Sequence, residues 1–138
     1  MGDRCCLYMT LRREDLPRFA QQVYAGAEER WWDELDEETP PGIVTVQVHE
    51  ANYAWMDERL AAARAGIPFY GTHEAGGEYG PGAFASWVGA LSEVELDHDG
   101  NLYIAVDEQL RPLEDPSRLR AYVRRLKKVR AAFVGGVR

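Results

Sequence analysis

Polar and apolar positions alternate along Cys5–Arg12. Cys5, Leu7, Met9 and Leu11 fall on one side, and Cys6, Tyr8 and Thr10 on the other. A period of two predicts a half-buried strand. The spacing then lengthens. Leu16, Phe19, Val23, Ala27, Trp31 and Leu35 recur every three to four residues. This predicts a helix, capped at Asp15, that Gly26 can split and that Thr39-Pro40-Pro41-Gly42 stops. Ile43–Glu50 alternates again, with Val44, Val46 and Val48 opposite Thr45, Gln47 and His49. A helix follows from Ala54, closed by Gly66 in a left-handed cap, and Ile67–His73 returns as a strand. Pro68 places that strand at an edge, or sits near its start. Strand, helix and strand in this order predict a right-handed parallel crossover.

The second half begins with a glycine-rich loop, Glu74–Phe84. A hairpin is predicted next, with Val94 and Leu96 against Leu102, Ile104 and Val106, and Asp99-Gly100 at its turn. Asp115 and Pro116 then open a helix whose stripe is Leu119, Val123, Leu126, Val129 and Phe133. The expected fold is α+β over a single domain, residues 1–138. It is a ferredoxin-like two-layer sandwich: a mostly antiparallel sheet with one parallel β-α-β crossover and an added C-terminal helix.

Composition supports a globular reading, with 46% apolar and 11% aromatic residues in 138. No apolar run approaches the roughly 20 residues of a membrane span, and no secretory leader is visible at Met1. The neighbours Cys5 and Cys6 point to opposite faces of a strand and are poorly placed to bond each other. These features predict a cytoplasmic protein. The net charge of −7 hides a split. Residues 1–110 hold 7 basic and 21 acidic side chains, a balance of −14, and residues 111–138 hold 9 and 2, a balance of +7.

Candidate chemistry starts from His-Glu-Ala, which occurs at His49–Ala51 and again at His73–Ala75. Parallel strands would bring both to one end of the sheet, where ligands of such sheets sit. Period two then pairs Glu50 with His73. Glu50 would be a general base and His73 its partner or a metal ligand, with Asn52, Glu78 and Tyr79 around them and the loop at 74–82 as a lid. The plainer reading is that Glu50 and Asn52 cap the following helix while His73 ends a strand. The loop lacks the lysine and the spacing of a phosphate cradle. Neither a cofactor nor a metal is implied by any motif.

Three surfaces can bind. The segment Glu28–Glu38 holds seven acids, and on a helix Trp32 would lie exposed beside Glu28, Glu29, Asp33, Glu34, Asp36 and Glu37. The outer sheet face should show Tyr8, Thr10, Thr45, Gln47, His49, Tyr70 and Thr72, unless a helix covers it. The last helix carries Arg120, Arg124, Arg125, Lys127 and Lys128, which suit phosphates, the acidic body of the chain itself, or a partner in a homodimer. The leading expectation is a small acidic protein that acts by protein contact, with a nucleic-acid-handling partner of the nuclease or CRISPR kind. A Glu50–His73 enzyme or ligand site and a nucleic-acid binder are the alternatives.

Overall fold

The computed structural model describes residues 3–24, 32–35 and 38–135. Among the described residues, six strands form one sheet: β1 (Arg4–Arg12), β2 (Trp32–Glu34), β3 (Ile43–Asn52), β4 (Phe69–His73), β5 (Gly82–Trp87) and β6 (Ala90–Glu95). Their spatial order is β2-β3-β1-β4-β5-β6. The helices are α1 (Leu16–Tyr24), α2 (Met56–Arg64) and α3 (Ser117–Gly135).

The α+β class is as expected. The ferredoxin-like plan and its parallel crossover are not confirmed, because every pairing between strands is antiparallel. The reason is β1. It inserts between β3 and β4 and pairs with both, so the strands joined through α2 point the same way without touching. A strand with two neighbours buries its apolar face fully, and Leu7, Met9 and Leu11 are at most 1% exposed.

The sheet buries side chains on both faces. Leu7, Met9, Val44, Val46, Phe69 and Phe84 pack with Phe19 of α1 and with Ala62 and Ala63 of α2. On the other face Ala83, Ala85 and Val94 pack with Tyr122, Val129 and Phe133 of α3. Phe69 stands 5.9 Å from both Phe19 and Phe84 in edge-on geometry. Each buried phenyl ring contributes roughly 1.5–3 kcal/mol through area alone. Gly71 is required by closeness, since a Cβ there would lie 1.9 Å from the Tyr8 carbonyl oxygen.

Three expected elements change. Helix α1 is described as far as Tyr24, and Trp32–Glu34, expected in the same helix, instead pairs with Gln47 and its neighbours as an edge strand. Trp32 is therefore buried, at 6% exposure, with its ring 6.5 Å from Trp55. Glu28, Glu29, Trp31, Asp36 and Glu37 lie outside the described residues. The glycine-rich loop is shorter than expected, because Gly82–Trp87 forms β5 and pairs with β6. Of the predicted hairpin, a single bridge between Leu96 and Leu102 forms among the described residues, and beyond it the Tyr103 hydroxyl still reaches the Glu95 carboxylate at 3.0 Å. The C-terminal helix is as read: the Asp115 carboxylate accepts the Ser117 amide at 2.9 Å, and the stripe from Leu119 to Phe133 faces the sheet.

Candidate functional site

His73 and Glu50 do not meet. Leu7 pairs with Val48 and Cys5 with Ala51, so β3 carries one extra residue there. Such a bulge flips the faces beyond it. Ala51 takes the core position that Glu50 was expected to hold, and Glu50 turns out to Arg4 at 3.4 Å. The capping alternative fails too, since neither Asn52 nor Trp55 makes a side-chain cap. His49 meets Asp33 across β2 at 2.8 Å.

His73 has other company. It sits on the core face opposite Leu7 and Gly82, only 5% exposed. Glu93 reaches the same place from β6 across Phe84, its Oε2 3.7 Å from His73 Nε2. Arg59 descends from α2 and pairs with Glu93. Arg59 is fully buried, its guanidinium 4.2 Å above the Phe84 ring, and its Nε donates to the Ala54 carbonyl at 2.9 Å. Arg59 Nη2 and His73 Nε2 make no hydrogen bond among the described residues.

Charge settles within this cluster. Burial would push His73 down, but the Cys5 thiol, the Glu93 carboxylate and the Glu74 carbonyl outweigh it and raise it to about 9. Burial would push Glu93 up, but His73 and Arg59 outweigh it and lower it to about 2. An ion pair in low dielectric holds both charges only when each is met by the other, as here.

The loop at 74–81 closes over this cluster and is latched by Asp3. The Asp3 carboxylate accepts the amides of Gly77 at 2.6 Å and Glu78 at 2.7 Å. Its carbonyl accepts Tyr79 Oη at 3.1 Å and the Tyr53 amide at 2.6 Å. The Tyr79 ring lies 5.7 Å from His73, edge-on, and burial and the Cys5 thiol push its phenol up. The Glu78 side chain is exposed and outside the cluster. Tyr53, Ala54 and Trp55 all adopt left-handed backbone, with φ of 51°, 54° and 54°. Each such residue costs about 1–2 kcal/mol. The turn aims the Ala54 carbonyl at Arg59.

The second region is polar where the first is charged, and open. α3 covers part of the outer sheet face, with Tyr70 5.9 Å from Phe133 and under Arg130, so Tyr70 is not free for a partner. Tyr8 accepts Gln47 Nε2 at 3.3 Å, and Thr10 meets Thr45 at 2.8 Å. Asp33 and Glu34 are engaged by His49 and Arg13. On α3, Arg120, Arg124, Lys127 and Lys128 are exposed, whereas Arg125 bonds Ser92.

The third region is the arm at 96–113, where the expected turn at Asp99-Gly100 forms but the second turn, at 107–111, was not read from the pattern. It contains two matching turns. The Asp97 carboxylate accepts the amides of Asp99 and Asn101, and the Asp107 carboxylate accepts those of Gln109 and Arg111. Bridges Leu96–Leu102 and Val106–Pro112 close them. The left-handed position is Gly100 in the first, φ 82°, and Leu110 in the second, φ 63°. Leu102, Ile104, Val106, Leu110 and Leu113 are 42–78% exposed. The repeated Asp at a spacing of ten was the available signal.

Among the described residues, no three His, Cys, Asp or Glu side chains gather as a metal site, and no helix is long and apolar enough to cross a membrane. The chain matches no family model, no curated protein and no solved structure.

Proposed function

We propose that the protein acts by binding another protein, and that the arm is the contact. The observation that carries this is the run of exposed apolar side chains from Leu102 to Leu113 on a segment with backbone bonds of its own. Single exposed leucines are ordinary, but a contiguous set marks an interaction site. The acidic character expected of residues 28–38 recurs here. Residues 95–114 hold six acids, Glu95, Asp97, Asp99, Asp107, Glu108 and Glu114, against one base, Arg111. Apolar anchors within an acidic rim suit a partner whose groove is apolar and whose rim is basic. Nucleic-acid-handling proteins, nucleases and CRISPR effectors included, offer such rims, so an inhibitory role of that kind is part of the proposal.

The test is affinity capture with the wild-type chain and with Leu110→Ser/Leu113→Ser. A stoichiometric partner held by the first and lost by the second supports the reading. Equal capture by both removes it. A second reading, a small ligand beneath the 74–81 loop, rests on the buried, unpartnered Arg59 Nη2. A panel of carboxylates and phosphates that leaves the melting temperature unmoved removes that one.

A further inference from the structure

We infer that the arm's occupant is a second copy of this chain, docked where the β5–β6 turn meets α3. The inference rests on the reading of the arm as a contact surface, and it names the partner. At that place Trp87, Val88, Ala121, Arg124, Arg125 and Lys128 line a shallow cleft. It has an apolar floor and a basic rim, the complement that the arm requires.

Charge favours this occupant. The arm with its two flanking residues, 95–114, carries six acids and one base, while α3 carries seven bases, Arg118, Arg120, Arg124, Arg125, Lys127, Lys128 and Arg130, and no acid. Two copies can therefore satisfy each other, the arm of one lying on α3 of the next. The same chain at high net charge of one sign would repel itself, but here the signs are segregated to separate surfaces.

Backbone geometry gives an independent reason. Val88 is 81% exposed and sits at φ 52°, a conformation that β-branched residues scarcely adopt. The turn Val88-Gly89 has positive φ at both positions, where asparagine or glycine is the favoured first residue. Leu110, 78% exposed at φ 63°, occupies the position that Gly100 fills in the twin turn. Both sites thus carry a large apolar side chain that the local backbone disfavours and that stays largely exposed among the described residues. Strain of this kind is retained where the side chain has work outside the fold. One such residue lies on the arm and the other in the cleft.

Sedimentation equilibrium on the purified chain, from about 1 to about 100 μM, reads the association directly. The wild-type chain should exceed the monomer mass and lose mass between about 50 and about 500 mM salt. Val88→Asp and, separately, Leu110→Ser/Leu113→Ser should each weaken association at least tenfold (about 1.4 kcal/mol) while melting as the wild type does. Mixed together, these two variants should form a one-to-one pair, since one keeps an intact arm and the other an intact cleft. A wild-type chain that stays monomeric overturns the inference, as does association that both variants retain. Should the chain be monomeric yet capture a different protein through its arm, the binding reading stands and the second copy is removed. Arm-independent binding of duplex DNA by Arg124 and Lys128 would assign α3 to nucleic acid instead, and would also overturn it.

Discussion

Around His73 the molecule keeps charged side chains inside, and along the arm it keeps apolar side chains outside. Both arrangements run against the usual sorting of residues. They differ in what answers them. Glu93 meets Arg59 and His73, and the Ala54 carbonyl meets Arg59 Nε, so the interior charges are largely met within the chain. The side chains of Leu110 and Leu113 stay 78% and 65% exposed among the described residues. The first arrangement therefore belongs to the stability of the fold. Under the proposed binding role the second serves an encounter, and changes there should leave folding intact.

The sharpest way to break this contrast is to remove one interior charge. Arg59→Met leaves Glu93 buried against His73 alone, and should cost about 3–5 kcal/mol in urea unfolding. Replacing Arg59 and Glu93 together by Met and Leu should recover most of that loss, because no isolated charge remains. If Arg59→Met unfolds like the wild type, the interior pairing is not structural and the contrast falls.

Acidity gives a smaller effect on the same side. His73, raised from 6.5 to about 9, contributes stability that is complete below pH 6.5 and is lost as pH rises through 9. Glu93, lowered from 4.5 to about 2, contributes stability that is complete above pH 4.5 and is lost as pH falls through 2. The pair is thus at full strength between pH 4.5 and 6.5. Urea midpoints should decline on the alkaline side of this window for the wild type and far less for His73→Asn. Identical alkaline slopes would remove His73 from the account.

The smallest effect has the opposite sign. Val88→Asn and Leu110→Gly relax left-handed backbone, and each should stabilise the folded chain by about 0.5–1 kcal/mol. Each should also weaken association. A substitution that improves the fold while harming the contact separates the two regions more cleanly than any loss can. A destabilised Leu110→Gly would mean that the arm packs on the body after all.

Much of this was legible in the sequence, and the misses have physical causes. β1, β3 and α3 follow their periodicity because an apolar face of each meets a core. β5 was hidden because both of its faces are buried. Ala83 and Ala85 meet α3 while Phe84 and Ser86 face the other way, so apolar and polar positions do not alternate. β2 is three residues long, too short to show a period. His73 and Tyr79 do adjoin, with rings 5.7 Å apart, but Glu50 was misplaced because a bulge leaves no mark in composition. Arg59 was not singled out in the sequence. Its spacing was informative, since Arg59, Ala62 and Ala63 share one helical stripe and all three are fully buried.

The position of β1 bears on how the chain reaches its fold during synthesis. β1 is made first, yet it is the strand that joins the two halves of the sheet: Leu11 pairs with Val44 on one side and Phe69 on the other. At roughly 5–20 residues per second, it waits several seconds on the ribosome for its second neighbour. During that wait at least one edge of an apolar strand stands open, the condition that invites wrong pairing. The molecule closes late, when β4 arrives and the latch at Asp3 has a loop to hold.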